Sequence, residues 1–477
     1  MFPRQPFLKW VETNRQKTPD QLMLLYSVLA MGSIFSRDPE HKALGKRFAA
    51  IAAYATEKRF GKFTLQLCQS RLTLALFNFS LGRTQEAWDF CGAGLRALSA
   101  LKLNTEQGIR ELFESSPEAP SELEYGLDRR TLEECCRRTF WAGFLMDVSS
   151  TVFTPTAAAD LMSKQRYNGF CGGTMCVISI EDTFVHLPCP EDLYEACQPC
   201  DTPLFDFDLL AHQVQQPIGY MGYLTIISAI WGEVLTFTSR ATHRHDDTYS
   251  RIYGIFYAKT TERLDAWSAM LPASLQYSPQ NLNNSIIEGH AANFISLHAL
   301  YHTTVIRLNR HIRGHALPTD IITRNIECSF RHATHFLSIM SSLMTGNCQS
   351  GRQPLFHCLL STPFPGYALM LCVDVLSSGG TVSMLPTLID SISSTIPYVE
   401  ELAAYWASAQ AQQRAIQSRL THLIEIARQE EQGAQNGSFG QFWRLPEPLE
   451  TVFGSEDAVY KAADQLLFEV IGKLTGS

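Results

Sequence analysis

Apolar residues recur every three or four positions through most of the chain, and no stretch alternates apolar with polar residues between hairpin turns. The pattern predicts an all-α fold, a bundle of antiparallel helix pairs joined by long irregular connections. A first helix is expected over 21–36, ending before Pro39 because proline disfavours helical geometry in the residue preceding it. Helices over 44–59, 63–80 and 84–101 follow, the last two separated by Leu81, Gly82 and Arg83, a connection length usual between neighbours in a bundle. The clearest pattern lies at 133–150. There Cys136, Phe140, Trp141, Phe144, Leu145 and Val148 form one continuous stripe on a helix, framed by Arg137, Arg138 and Asp147.

A Gly-, Pro-, Cys- and acid-rich stretch over 154–207 reads as a long connection across the surface. Helices are expected again over 209–238, 247–270, 286–313 and 319–344. A second Pro/Gly/Ser-rich break at 346–365 precedes helices over 366–376, 385–396, 399–429 and 456–474. The break near 346 is the expected domain boundary, dividing a helical region over 1–345 from a C-terminal helical extension over 346–477.

At 477 residues, with 45% hydrophobic and 18% charged residues, the chain carries ample core material. Its formal charge of -8 offers no general attraction for a phosphate backbone. The distribution sharpens this: no Lys or Arg lies between Arg166 and Arg240, whereas Glu181, Asp182, Glu191, Asp192, Glu195, Asp201, Asp206, Asp208 and Glu233 do. Direct DNA contact by this chain alone is not expected. The N-terminus lacks the apolar core of a signal peptide. The most apolar runs, 220–238 and 355–376, are interrupted by Glu233 and by Pro363 and Pro365. A soluble intracellular chain with no membrane partner is expected, its 13 cysteines reading as free thiols.

Several motifs, in order, resemble the fungal-specific transcription factor domain, the middle homology region of zinc-cluster regulators. Residues 24–36 are similar to its opening helix, and Leu81, Gly82, Arg83, Glu86, Ala87, Trp88, Gly92, Arg96 and Leu101 to the rhythm of its helix pair. Arg137, Arg138, Phe140, Trp141, Phe144 and Asp147 resemble its R-R-x-[FW]-W-x-x-[FL]-x-x-D signature, and Ile180, Asp182, Val185, Leu187 and Pro188 the short stretch after it. Leu264, Trp267, Leu271 and Pro272 match a later segment, and Leu300, Tyr301, His302 and Arg307 a later helix. The resemblance covers about Phe2 to Arg313; it departs at 149–155, which lacks the family's Gly-containing turn.

Such regulators carry an upstream module of six cysteines, spaced C-x2-C-x6-C with a second similar half, that binds two zinc ions. No cysteine precedes Cys68 here. Zinc is therefore expected only in a cluster outside this sequence, and no other cofactor is evident. Cys171, Cys176, Cys189, Cys197 and Cys200, with gaps of 4, 12, 7 and 2 residues, match neither that spacing nor paired C-x2-C knuckles, so loop or core thiols are expected.

Catalytic and metal patterns are weak. His243, His245, Asp246 and Asp247 form the most ligand-like cluster, but the carboxylates are adjacent and have no partner motif on the same helical face, so a capped helix start is the better reading. The pairs His298/His302, His311/His315 and His332/His335 lack the glutamate of H-E-x-x-H. No nucleophile elbow, Walker loop or dinucleotide fingerprint is present, and an enzyme is not expected. Trp88 and Trp141 are expected in the core. One of Arg137 and Arg138 is expected to pair with a carboxylate such as Asp147 or Glu134, the other to be solvated. The stretch Phe439, Phe442, Trp443, Leu445, Leu449, Phe453, Glu456, Asp457 reads either as an activation segment or as a tail docked on the bundle.

The resemblance implies a nuclear regulator of RNA polymerase II transcription, with other transcription proteins as partners, homo- or heterodimerisation, and a small-molecule effector biasing the packing of the bundle. Its DNA contact would come from an upstream zinc cluster lost from this sequence or from a DNA-bound partner, and a metabolic or secondary-metabolite pathway is the expected target. The alternatives are a helical adaptor and, third, an α-helical enzyme. The family-signature positions Trp88, Arg137, Arg138, Trp141, Asp147, Pro188, Trp267, Pro272 and His302 are expected to serve structure; no catalytic or metal-binding residue is assigned.

Overall fold

The computed structural model describes the chain except residues 14–15, 115–123, 151–175, 208–216, 244–247, 311–315, 350–361, 436–441, 446, 450–457 and 476–477. Among the described residues it is all-helical apart from one two-stranded ladder. The described residues form two compact units, the first from those of 1–150 and 176–229, the second from those of 230–477.

The first unit contains α1 (Arg4–Thr13), α2 (Pro19–Ser33), α3 (Pro39–Glu57), α4 (Leu65–Ser80), α5 (Thr84–Ala100), α6 (Glu106–Glu114), α7 (Arg129–Ser150) and α8 (Glu191–Glu195). It also holds the first part of α9 (Tyr220–His243). Local chemistry starts these helices. Thr18 and Gln21 form a reciprocal capping box on α2, Asp38 caps α3 with Pro39 in its first turn, and the Thr64 hydroxyl accepts the Leu67 N–H of α4. Gly82, at φ +73°, makes the α4–α5 turn that a side-chain-bearing residue would strain. Helix α4 is buried almost all round, between α2 and α3 on one side and α5 and α7 on the other. Three helices of this unit, α1, α6 and the five-residue α8, escaped the sequence pattern. Helix α1 is short and docks Phe7 and Trp10 against Tyr125, whose hydroxyl donates to Gln69 of α4. Helix α6 is shorter still, started by Thr105, which accepts the Gly108 N–H.

The second unit contains the rest of α9, then α10 (Tyr249–Met270), α11 (Pro279–Ile287), α12 (Ala291–Arg310), α13 (Thr319–Gln349), α14 (Phe364–Leu376), α15 (Leu385–Tyr405), α16 (Ala407–Gln435), α17 (Ala458–Lys461) and α18 (Asp464–Thr475). Helices α12, α13 and α16 pack around α14, every residue of which is buried. The expected helix over 286–313 starts later, as α12 at Ala291; the short α11 before it was not expected, and it ends before Gly289, whose φ of +77° turns the chain into α12. The expected break at Pro397 is also absent. Helix α15 runs through it and ends at extended Trp406, because Thr395, Tyr398, Val399 and Leu402 on both sides of the proline are fully buried. That packing outweighs the roughly 3 kcal/mol a mid-helix proline costs. The last expected helix is likewise interrupted, at Ala462 and Ala463.

The ladder pairs β1 (Gly379–Thr381) antiparallel with β2 (Phe442–Arg444), Gly380 lying opposite Trp443. The indole N–H of Trp443 donates to the Thr381 carbonyl, and Trp443 is buried. Phe442, Trp443, Leu445 and Leu449 are thus docked within this unit; Phe439, Phe453, Glu456 and Asp457 lie outside the described residues. Residues 220–240 of α9 are long and apolar enough to cross a membrane by composition, yet two-thirds of the most apolar window is buried in the protein, as in a core helix.

Candidate functional site

Helix α7 carries the signature residues and places its two sides to opposite uses. The apolar stripe enters the core of the first unit, with Cys136, Phe140, Trp141, Phe144 and Val148 all buried. Trp141 stands edge-on to Phe140 and Phe144, and its indole N–H donates to the His186 carbonyl at 2.8 Å.

The charged side grips the segment that follows in sequence. Arg137 makes a bidentate pair with Glu106 of α6, both contacts at 2.8 Å, and approaches Glu134 at 3.5 Å. Arg138 bonds Glu134 at 3.0 Å, donates to the Cys189 carbonyl at 2.6 Å and lies over the ring of Tyr194. Glu134, almost wholly buried, also accepts the Cys189 N–H, and Glu106 accepts the His186 N–H. Both arginines are therefore paired, where only one was expected to be. Two carboxylates lie within reach of Arg137 because α6, unforeseen in sequence, delivers Glu106. Burial works against the charged form of Arg137, but its hydrogen bond to Glu106 and the charges of Glu106 and Glu134 hold its pKa above the ordinary value.

Asp147 pairs with neither arginine. One of its oxygens accepts the N–H groups of Val177 and Ile178 at 2.7 and 2.8 Å. Burial pushes its carboxyl up to about 6, against those two hydrogen bonds, which favour the ionised form. Pro188 is buried and its carbonyl accepts the Gly219 N–H, while Glu191 caps the start of α9 through the Tyr220 and Met221 N–H groups. Through these contacts α7 holds residues 177–191 in place. Trp88 departs from expectation: it lies on the outer face of α5 and is 54% exposed, because the stripe that α5 buries runs through Ala87, Cys91, Leu95 and Leu98.

In the second unit Trp267 is buried and stacks on Tyr301, and the Pro272 carbonyl accepts the Leu275 N–H in the turn after α10. His298 and His302 do not converge. The Nε2 of His298 meets the Leu275 carbonyl at 3.0 Å, whereas Nδ1 of His302 lies 3.1 Å from Nδ1 of His332, with the His335 ring beyond. Among the described residues no group of three or more His, Cys, Asp or Glu side chains is arranged to hold a metal ion. Cys176, Cys189, Cys197 and Cys200 are free thiols. Cys171, His311, His315, His245, Asp246, Asp247 and the side chain of His243 lie outside the described residues.

Burial lowers the pKa of His298 and His332 to about 4 and that of His302 well below its usual value, the neighbouring imidazoles adding to the effect on His302. The unfolded chain therefore binds more protons below about pH 6.5. The stabilisation is complete above that pH and is lost as pH falls towards 4, each histidine contributing a slope of about 1.4 kcal/mol per pH unit. Urea unfolding of the second unit between pH 7.5 and 5 should show this decline, and His302→Gln should make it shallower, with His298 and His332 still contributing.

Sequence reasoning missed one further constellation. Asp374, fully buried on α14, bonds Arg310 of α12 at 2.6 Å, Arg419 of α16 at 3.4 Å and the Tyr460 hydroxyl at 2.6 Å, and accepts the Leu449 N–H at 2.8 Å. The signal available was a lone acid inside the apolar run of α14.

Residues 4–156 match the family model of the fungal specific transcription factor domain. Over 326 residues the chain is 26% identical to an uncharacterized transcriptional regulatory protein of Schizosaccharomyces pombe, covering 65% of this chain and 30% of that protein. It is 22% identical to two Zn(2)-C6 fungal-type transcription factors of Fusarium oxysporum f. sp. lycopersici, covering 93% of this chain and 47% and 41% of theirs. No solved structure matches. The chain thus spans less than half the length of these curated relatives, and the stretches at 180–188, 264–272 and 300–307 lie beyond the family model's match. The Arg137–Asp147 signature lies inside the matched region, so it is over residues 4–156 that the chain is similar to the fungal-specific transcription factor domain, a family of transcription-factor domains and not of enzymes.

Proposed function

We propose that this chain is a regulator of RNA polymerase II transcription of the fungal zinc-cluster kind, acting in the nucleus through its helical body. Residues 1–345 form the regulatory region in this reading, and 346–477 a helical extension. The observation that carries it is the domain match over residues 4–156, within which α7 uses its signature arginines to lock the segment after it. DNA contact is supplied from outside this sequence, by a zinc cluster or by a DNA-bound partner, since the acidic balance of the chain gives little attraction for phosphate. An effector or partner protein acts by favouring one packing of the bundle over another, and the genes controlled serve a metabolic or secondary-metabolite pathway.

Fusing the intact chain to a heterologous DNA-binding domain tests the reading. Reporter transcription from a promoter carrying the cognate sites should rise or fall at least several-fold relative to the DNA-binding domain alone. An unchanged reporter, with the fusion confirmed at the promoter, removes the proposal.

A further inference from the structure

Helix α3 buries one side only, through Gly45, Ala49, Ala52 and Thr56, against α2 and α4. Its opposite side carries Leu44, Arg47, Ile51 and Tyr54, continued by Lys58 at the C-cap, at alternating steps of three and four residues. That spacing aligns them in a single stripe. The apolar members are well exposed, Leu44 at 39%, Ile51 at 45% and Tyr54 at 61%, and Phe60 just beyond the helix is 93% exposed. Isolated exposed apolar residues need no explanation, but a stripe at helical spacing has the form of a docking face.

Charge identifies what would cover it. From Arg37 to Lys62 the chain has seven Lys and Arg (37, 42, 46, 47, 58, 59, 62) against three acids (38, 40, 57), a local excess of four positive charges in a protein whose net charge is -8. Arg59 is engaged with Asp20 and Lys58 lies over the ring of Tyr54; Lys42, Lys46, Arg47 and Lys58 are all exposed on the helix, and Lys62 just past it. We propose that this face of α3 binds an acidic amphipathic helix of another protein, its apolar residues laid on Leu44, Ile51 and Tyr54 and its carboxylates meeting Lys46, Arg47 and Lys58. A second copy of the chain fits poorly, since a two-fold interface would set this basic patch against itself. Nucleic acid fits poorly too, because phosphate gains nothing from the apolar centre of the stripe. The inference stands on exposure and charge alone, so its failure would leave the transcriptional reading intact.

A displayed library of 18-residue helices with Leu, Ile or Phe at positions i, i+3 and i+7, and flanks that are acidic, neutral or basic, is panned against the immobilised intact chain. Acidic members should be enriched. Synthetic copies of them, followed by fluorescence anisotropy, should lose at least tenfold in affinity when the chain carries Ile51→Asp with Tyr54→Asp, or Lys46→Glu with Arg47→Glu, and should weaken as salt is raised. Circular dichroism melting should be unchanged in both variants, because the substituted side chains are exposed. Four outcomes would overturn the proposal: no enrichment, enrichment irrespective of flank charge, equal binding by the variants, or a dimer in sedimentation that Ile51→Asp dissociates. Short duplex DNA binding competitively at this face would overturn it as well.

Discussion

Replacing Asp374 by Ala should destabilise the second unit by about 3–5 kcal/mol, the cost of stripping a buried charge of its counter-charge. Arg310 and Arg419 are 0% and 5% exposed in their side chains, so the carboxylate is what makes their burial tolerable. The same atom set ties four separated segments together, because Leu449 N–H and the Tyr460 hydroxyl converge on Oδ1. Tyr460 remains a donor: burial first, and then the charge of Asp374, push its pKa well above the ordinary value. Urea unfolding followed by the helical signal measures the loss. A sharper comparison comes from replacing Arg310, Asp374 and Arg419 together by apolar residues of similar size. If unpaired charge is the cause, this triple variant should be much more stable than Asp374→Ala. Equal destabilisation of the two would show that shape, and not charge, is what the site supplies.

Glu134→Ala should cost the first unit a similar amount, about 3–5 kcal/mol, for a related reason. Its side chain is 1% exposed and sits between Arg137 and Arg138, with the Cys189 N–H on the same oxygen as Arg138. Arg137 keeps Glu106 when Glu134 is removed, so the damage should concentrate on Arg138 and on the segment it holds. Limited proteolysis should then cut within 177–191 well before the rest of the unit unfolds. Glu134→Gln, which retains an acceptor for the Cys189 N–H, should lie between wild type and Ala. A variant that melts early without faster cleavage in that segment would mean that α7 does not hold it.

The helices that were legible share one property: their burial is decided by neighbours close in sequence. The pair α4 and α5 shows it, since a two-sided apolar pattern flanks a three-residue turn and the ends fall within two residues of expectation. Helix α7 shows it again, with a stripe long enough to define its face unaided. The failures have a common origin. Helix α6 is only nine residues long, and its stripe of Ile109, Leu112 and Phe113 is too short to mark a helix by itself, yet it is the element that brings Glu106 to Arg137. The helices expected over 385–396 and 399–429 left a gap at Pro397, but the proline's local cost is outweighed by the burial of the side chains around it. Trp88 was read as an aromatic at helical spacing, and only the direction in which α5 turns its buried face shows that it points outward.

The sequence by itself determined the helical class, most helix positions and the likeness of its motifs to a family, because periodicity and caps act over a few residues. Tertiary structure decided which charges meet. Glu106 reaches Arg137 across 31 positions and Asp374 reaches Arg310 across 64, and nothing in local spacing encodes a contact made by packing. An ion pair inside a protein is set by where two helices cross, and that depends on the whole buried surface at once.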